Sequence, residues 1–290
     1  MPRTRIACGQ VATVDGDIEA NLERCYALSE RAVGDGAELV ALPELAATGY
    51  CADDYAPFIE PLDGPVIARF QQIAAQGPAV IVVGLVIADD DGRPQNAAVL
   101  VGPDGSMGIY AKTHLCVNEL PRVDEPSRFA AGRELGLFDT PAGRVGVMIC
   151  YDGHHPELAR ALTLEGADLL VWINNRSSIE PWEAPAIAKF NMVPVALVNR
   201  VGEAGRQTPD QPPRLFPGRS AISDHTVNLL ARAEDGQEVN VVADVDLEVS
   251  RQRRRTESSL NTIESRRPDL YADTLARPPA WRRGADGGSM

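Results

Sequence analysis

Two kinds of apolar pattern alternate along the chain. Residues 5–13, RIACGQVAT, form an apolar run that predicts a strand. Residues 17–36 predict a helix: Asp17 stands at the N-cap, and Ile18, Leu22, Cys25, Leu28 and Ala32 recur on one face. The pattern then repeats. Short apolar runs at 37–44, 79–87, 144–150, 167–173 and 194–202 predict strands, and 64–77, 156–166 and 183–193 predict helices. Residues 95–112 read as two strands joined by a Pro-Asp-Gly turn, hence a hairpin. RSAISD, VNLLARA and VNVVADVDL predict a final group of strands, whereas 113–135 and the Pro-rich stretch 203–219 read as loops.

These strands are too many for one small sheet, and helices fall between them. Hairpins mixed with helical crossovers predict an α/β protein of two layered, mixed sheets with helices packed outside. No segment has the composition of a linker, so residues 1–290 are expected to form a single domain with an extended, Arg-rich tail from about residue 248.

Three of the apolar runs end on a residue that does not belong in a core: LVALPE delivers Glu44, GIYAK delivers Lys112 and GVMIC delivers Cys150. Strand ends of an α/β sheet are where reacting groups collect. A cysteine nucleophile needs a base for its proton and a positive group for the oxyanion that forms when it attacks a carbonyl. Glu44, Lys112 and Cys150 are one of each. The turn after Cys150 enters a helix at Pro156, so the backbone N–H of Tyr151 is a second oxyanion donor in the manner of a nucleophile elbow. Each residue also has a plainer reading. Cys150 alone fits a buried core thiol, Lys112 a solvated surface lysine, and Glu44 a charge at a helix N-terminus.

Composition narrows the setting. The net charge of −13 argues against nucleic acid and against anionic membrane surfaces as partners. Apolar residues at 44 % and charged residues at 24 % fit a folded globular chain. The five cysteines form no CxxC pair, which leaves no zinc ribbon or thioredoxin-type site and points to a reducing compartment. With neither an apolar leader nor a membrane-length apolar run, the expectation is a cytoplasmic protein without membrane contact.

The segments that carry these residues resemble the nitrilase superfamily, the carbon–nitrogen hydrolases with a Glu-Lys-Cys triad. LPELAATGY (42–50) is similar to the family's segment around the base, YAKTHL (110–115) to its lysine segment and GVMICYDGHHPELAR (146–160) to its nucleophile segment. VALVNRVG, GRSAISD and RRPDLY are similar to later landmarks, in the right order. The resemblance implies a single carbon–nitrogen hydrolase domain with a four-layer α-β-β-α sandwich. It also implies a thioester at Cys150, Glu44 as base and then acid, and Lys112 with the Tyr151 N–H at the oxyanion. No cofactor or metal is called for. A second glutamate is expected between lysine and nucleophile. Glu125, seven residues before Gly132 as in the family's pattern, is favoured to orient Lys112; Glu119 remains the alternative, otherwise a surface residue.

Tyr50, His154, His155, Asn175 and Arg176 occupy positions expected to line the substrate pocket, with Arg176 suited to grip a carboxylate. His154 and His155, adjacent on a turn, do not have the spacing of metal ligands, and His114 and His225 are expected to be structural. The nucleophile segment reads Cys-Tyr-Asp, whereas nitrilases proper usually carry Cys-Trp-Glu. That favours a small linear amide or N-carbamoyl compound, with ammonia released. Nitrile hydrolysis within the same superfamily and a non-catalytic binding protein retaining the fold are the alternatives; an acyltransferase of the family would carry membrane spans. The resemblance further implies a homodimer or higher homo-oligomer, with the arginines of SRQRRR (250–255) pairing with a neighbouring subunit.

Overall fold

The computed structural model describes residues 3–119, 122–204, 214–256 and 261–277. The chain begins with β1 (Thr4–Gln10), α1 (Ile18–Gly34), β2 (Leu39–Ala41), α2 (Pro65–Ala74), β3 (Val80–Ala88), β4 (Pro94–Val101) and β5 (Met107–Ala111). The expected loop at 113–135 holds a short hairpin, β6 (Val117–Glu119) with β7 (Arg122–Asp124), and one helical turn, α3 (Glu125–Arg128). Then follow β8 (Gly136–Thr140), β9 (Gly143–Ile149), α4 (Pro156–Leu164), β10 (Leu169–Asn174), α5 (Glu183–Asn191) and β11 (Val195–Asn199). β12 (Val201–Ala204) and β13 (Arg214–Pro217) pair across the Pro-rich stretch, and β14 (Ala221–Ser223), β15 (Leu229–Arg232), β16 (Val239–Val245), α6 (Leu247–Arg255) and α7 (Pro268–Leu275) complete the chain.

Two six-stranded sheets result, in the orders β16-β1-β2-β3-β4-β5 and β15-β14-β11-β10-β9-β8. Each has three parallel strands at its centre, β1-β2-β3 and β9-β10-β11, with antiparallel strands outside. The mixture follows from the connections: helices α1, α2, α4 and α5 carry parallel crossovers, and tight turns make the flanking hairpins.

Strand periodicity of two sorts each strand's side chains between two cores. Leu39 and Ala41 of β2 face the other sheet, where they join Ile6, Val82, Val147, Ile149, Val171 and Val198; Val40 points the opposite way. The outer face of the first sheet packs on Leu22, Leu28, Ile67 and Phe70 of α1 and α2. The outer face of the second, through Leu170, Trp172, Val195 and Leu197, packs on Leu158 and Leu162 of α4 and Ala184 and Ala188 of α5. The fold is therefore α-β-β-α, as expected. Because both sheets are covered on both faces, the open ends of the parallel strands are where polar groups converge.

One expectation fails at the tail, which begins as helix α6 and not as an extended segment. Leu247 and Ser250 are buried on one face, and Ser250 Oγ donates to the Met192 carbonyl at 3.0 Å. Two of its arginines are also committed within the chain. Arg251 grips Asp168 through Nε and Nη2 at 2.6 and 2.7 Å, and Arg254 lies 3.4 Å from the same carboxylate. A helix with small or apolar residues three apart docks on its own domain before it can offer those charges to another. No described helix is long and apolar enough to cross a membrane.

Candidate active site

Glu44 stands three residues beyond β2, Lys112 directly follows β5, Glu125 opens α3 and Cys150 directly follows β9. The fold brings them together at one end of the sandwich. Lys112 Nζ lies 2.7 Å from Glu44 Oε1 and 2.8 Å from Glu125 Oε1, and all three side chains are fully buried. The lysine backbone is fixed as well: its N–H donates to the Asn96 carbonyl of β4, and its own carbonyl accepts from Gly132 N–H, both at 2.9 Å. Gly132 is required there because a Cβ would come within 2.1 Å of the Ala111 carbonyl oxygen.

The same two carboxylate oxygens collect two further donors. Asn96 Nδ2 donates to Glu44 Oε1 at 2.8 Å and to Glu125 Oε1 at 3.3 Å. Tyr50 Oη lies 2.6 Å from Glu125 Oε1 and 3.1 Å from Glu44 Oε1. Its single hydrogen goes to the nearer oxygen. Glu125 Oε2 accepts the backbone N–H of Cys116. Glu44 Oε2 is different: it is buried and no hydrogen-bond partner meets it. One oxygen of Glu44 is thus saturated while the other is held open. Burial works to lower the Lys112 pKa, but Glu44, Cys150 and Glu125 outweigh it and raise it well above the ordinary value. The lysine is a fixed positive charge.

Cys150 sits at a backbone φ of +49°, the left-handed region that a residue with a Cβ enters at a cost of about 1–3 kcal/mol. Asp152 holds the turn. Its Oδ2 accepts from Ile149 N–H at 2.9 Å and Tyr110 Oη at 2.8 Å. Its Oδ1 accepts from Thr113 Oγ1 at 3.2 Å and from the backbone N–H of His114 at 3.0 Å, with His114 Nδ1 at 2.9 Å. One buried carboxylate therefore ties the nucleophile turn to the residues on either side of Lys112. Burial alone would raise the Asp152 pKa, but these hydrogen bonds prevail and hold it below the ordinary carboxylate value. Trp172 Nε1 donates to the Cys150 carbonyl at 2.9 Å. Gly153 makes room for that indole, since a Cβ would come within 2.2 Å of its ring carbons.

Cys150 is 8 % exposed, whereas Glu44, Lys112 and Glu125 are 0 % exposed, so of these four residues only the cysteine meets solvent. Burial pushes the thiol pKa well above its ordinary value, Glu44 adds to the rise, and Lys112 opposes it. The resting group is a neutral thiol close to a carboxylate, not a free thiolate.

The carbon-nitrogen hydrolase family model matches residues 5–255 of this chain. The chain belongs to the carbon-nitrogen hydrolase family. It is 30 % identical over 274 residues to an N-carbamoylputrescine amidase of Arabidopsis thaliana, covering 88 % of this chain and 90 % of that one. It is 33 % identical over 261 residues to a nitrilase of Pyrococcus abyssi, covering 87 % of this chain and 93 % of that one. Among solved structures, a carbon-nitrogen hydrolase from Helicobacter pylori G27 superimposes with a TM-score of 0.81 at 26 % identity, over 95 % of this chain and 99 % of that one. The protein is an enzyme of the nitrilase superfamily.

In this carbon-nitrogen hydrolase the residues expected to line the pocket divide. Tyr50 joins the carboxylate cluster. Asn175 Nδ2 donates to the Glu44 carbonyl at 3.3 Å and so positions the backbone of that residue. Arg176 is already gripped: its Nη1 and Nη2 meet Glu183 at 2.6 and 3.2 Å, over the Trp172 ring. It is not an open fork for a substrate carboxylate. His155 stacks on His114, ring centroids 3.9 Å apart, with its Nδ1 at 3.0 Å from the Tyr151 carbonyl. The stack packs the nucleophile turn against the lysine segment. His154 is exposed and meets the Tyr151 ring edge-on. The side chain of Glu119 lies outside the described residues. Asn96, Asp152 and Trp172 were not singled out from sequence. Each acts through a partner on another element, and only the Asp that follows Cys-Tyr carried any local signal.

Proposed function

We propose that this enzyme hydrolyses a small linear amide or N-carbamoyl compound through a thioester on Cys150. The open Oε2 of Glu44 carries the reading, because it is a buried base oxygen with nothing else to bind. The Cys150 S–H proton passes to Glu44 as sulfur attacks the carbonyl carbon, and the carbon–oxygen π pair moves onto oxygen. Lys112 and the Tyr151 N–H stabilise that oxyanion; the latter lies in the first turn of a short 3₁₀ helix, Cys150–His154, where no intrahelical carbonyl takes it. The intermediate collapses, the C–N bond breaks, and Glu44 returns the proton to the leaving ammonia or amine. Water then attacks the thioester, gives a proton to Glu44, and the released thiolate recovers it. Glu125, with Tyr50 and Asn96, keeps Lys112 and Glu44 Oε1 in place while Oε2 works.

The buried cluster supports a catalytic role by its cost. Breaking such a pair costs about 3–5 kcal/mol, yet replacing the whole of it by apolar groups is often neutral or stabilising. Stability alone does not call for it. The Cys-Tyr-Asp sequence favours amides over nitriles, although the Pyrococcus relative is named a nitrilase. The enzyme is read as cytoplasmic, with its five cysteines as free thiols. It is also read as a homo-oligomer, since Trp182 and Phe190, at and just within the ends of α5, are exposed.

Intact-mass analysis after mixing with amides, ureido acids and nitriles tests the reading. An acyl adduct on Cys150, absent in Cys150→Ala, with ammonia released from amides or ureido compounds, is the expected result. Turnover of nitriles alone overturns it.

A further inference from the structure

Arg200, in the segment VALVNRVG, has no part in the acid–base scheme. It directly follows β11 and is fully buried. Its Nη1 donates to Asp15 Oδ1 at 2.5 Å, and its Nη2 donates to the carbonyls of Thr13 and, at 3.4 Å, Glu203. Its guanidinium lies 4.4 Å from the centre of the Phe216 ring. Thr13 and Asp15 belong to the connection between β1 and α1, so an arginine at the end of a second-sheet strand grips a loop of the first. That loop in turn holds the run from Glu44 to Tyr50. Gly16 N–H donates to the Thr48 carbonyl at 2.9 Å. Asn21 Nδ2 donates to the carbonyls of Val14 and Ala47 at 2.7 and 2.8 Å. Asp15 is packed directly on Gly49, where a Cβ would come within 2.1 Å of its Oδ1 and 3.3 Å of Arg200 Nη1. The next residue is Tyr50, whose hydroxyl meets Glu125 Oε1 and Glu44 Oε1.

We infer that Arg200, through its ion pair with Asp15, is a positioning residue for the proposed reaction: it sets Gly49 and hence Tyr50, and so holds Glu44 with Oε1 occupied and Oε2 open. This rests on the reading of Glu44 as the base. A buried ion pair is a weak source of stability, because apolar replacements are often neutral or better. What it supplies is geometry. A guanidinium is planar and its N–H groups point in fixed directions, so acceptors on Thr13, Asp15 and Glu203 leave it one seat. Asp15 then cannot shift without breaking the pair, and Gly49 cannot move towards it. Tyr50 stands 6 residues after Glu44, so the run that leaves the base returns to brace it. A displacement of about 1 Å there is enough to slow a reaction on the order of 100-fold.

A double-mutant cycle between Asp15→Ala and Tyr50→Phe tests this, read by ammonia release from propionamide and by the rate at which iodoacetamide alkylates Cys150. Alkylation needs the same proton removed and does not depend on the natural substrate. Asp15→Ala is expected to lower kcat and the alkylation rate about tenfold, with KM within about twofold of wild type. In the Tyr50→Phe background the same change is expected to cost less than about twofold in rate, while the fall in thermal midpoint is the same in both backgrounds. Rate losses that multiply in full overturn the positioning role and leave a structural tie between the sheets. Arg200→Lys keeps the charge but loses the fork. It is expected to behave as Asp15→Ala does, and it gives the same reading if Asp15→Ala does not fold; wild-type rates in Arg200→Lys overturn the inference. Undiminished turnover and alkylation in Glu44→Gln would remove Glu44 as base and leave the cycle standing. Fully multiplying losses beside an inactive Glu44→Gln would remove the positioning role alone.

Discussion

The first sheet reaches the site with Glu44 beyond β2 and Lys112 beyond β5, both charged and sealed from solvent. The second reaches it with Cys150 beyond β9, a neutral thiol on a left-handed turn, the residue being 8 % exposed. The first side is built on charge balance: two carboxylates, one lysine, and neutral donors that leave a single carboxylate oxygen unmet. The second side is built on backbone geometry, held by Asp152 and Trp172. In this structure the charged side stores electrostatic energy and the thiol side stores conformational strain. Damage to each is expected to register differently.

The largest contrast is between Lys112→Ala and Cys150→Ala. Both are expected to abolish turnover. Lys112→Ala leaves two buried carboxylates without their cation and is expected to cost about 3–5 kcal/mol in urea unfolding, whereas Cys150→Ala is expected to cost about 1 kcal/mol. Equal stability losses would break the comparison. Next comes Asp152→Asn, which keeps the volume but misplaces the turn. We expect kcat to fall on the order of 10–100-fold and stability to fall by about 1–3 kcal/mol. The Asp152 pKa is lowered in the fold, so its contribution is present above the unfolded carboxylate value and is lost as pH falls through the lowered one. Wild type and Asp152→Asn should therefore begin to converge in stability as pH falls below about 4 and meet only below the lowered Asp152 value, and a gap that persists once Asp152 is protonated would show that charge is not what Asp152 supplies.

A smaller effect is expected from His155→Ala, which removes the stack on His114. Ring pairs contribute about 0.5–1.5 kcal/mol beyond their burial, so a modest fall in thermal midpoint with less than a tenfold fall in kcat is expected. A collapse of activity would move His155 from packing to chemistry. The smallest effect separates thiols without altering the chain. Cys8 and Cys25, at 0 % exposure, should stay unlabelled by iodoacetamide in the native protein, while Cys150, at 8 % exposure, reacts. Peptide mapping reads this directly, and labelling of Cys8 at the rate of Cys150 would contradict the burial described.

Much of this was legible in the chain. Strand ends announce themselves where an apolar run stops on a charge or a thiol, which is how Glu44, Lys112 and Cys150 stand out. Glu125 was favoured because its spacing to Gly132 is similar to the family's pattern, and the structure explains the glycine by the carbonyl of Ala111 pressed against it. What stayed hidden is what depends on partners distant in sequence. Asn96 lies within an ordinary strand, and nothing local reveals that its amide meets two carboxylates from 52 residues before it and 29 after it. Arg176 reads as an available fork until Glu183, across the entry to α5, takes it. His155 reads as a pocket residue because the stacking ring, His114, belongs to another segment. The helix at the tail was obscured by its charge, since four arginines in nine residues mask the two small or apolar positions that dock it.

The edge strand β16 has a consequence for how the protein is made. It pairs antiparallel with β1 along its whole length, from Thr4 against Val245 to Gln10 against Val239. β1 thus leaves the ribosome well ahead of the strand it pairs with. At about 5–20 residues per second, β1 keeps an unpaired edge for on the order of ten seconds or more, while α1, α2 and the strands beside it are already available. During that interval the nascent chain presents a sticky template to any other strand. Chains cut short just before β16 are therefore predisposed to aggregate, even though every residue of the proposed chemistry has by then been synthesised.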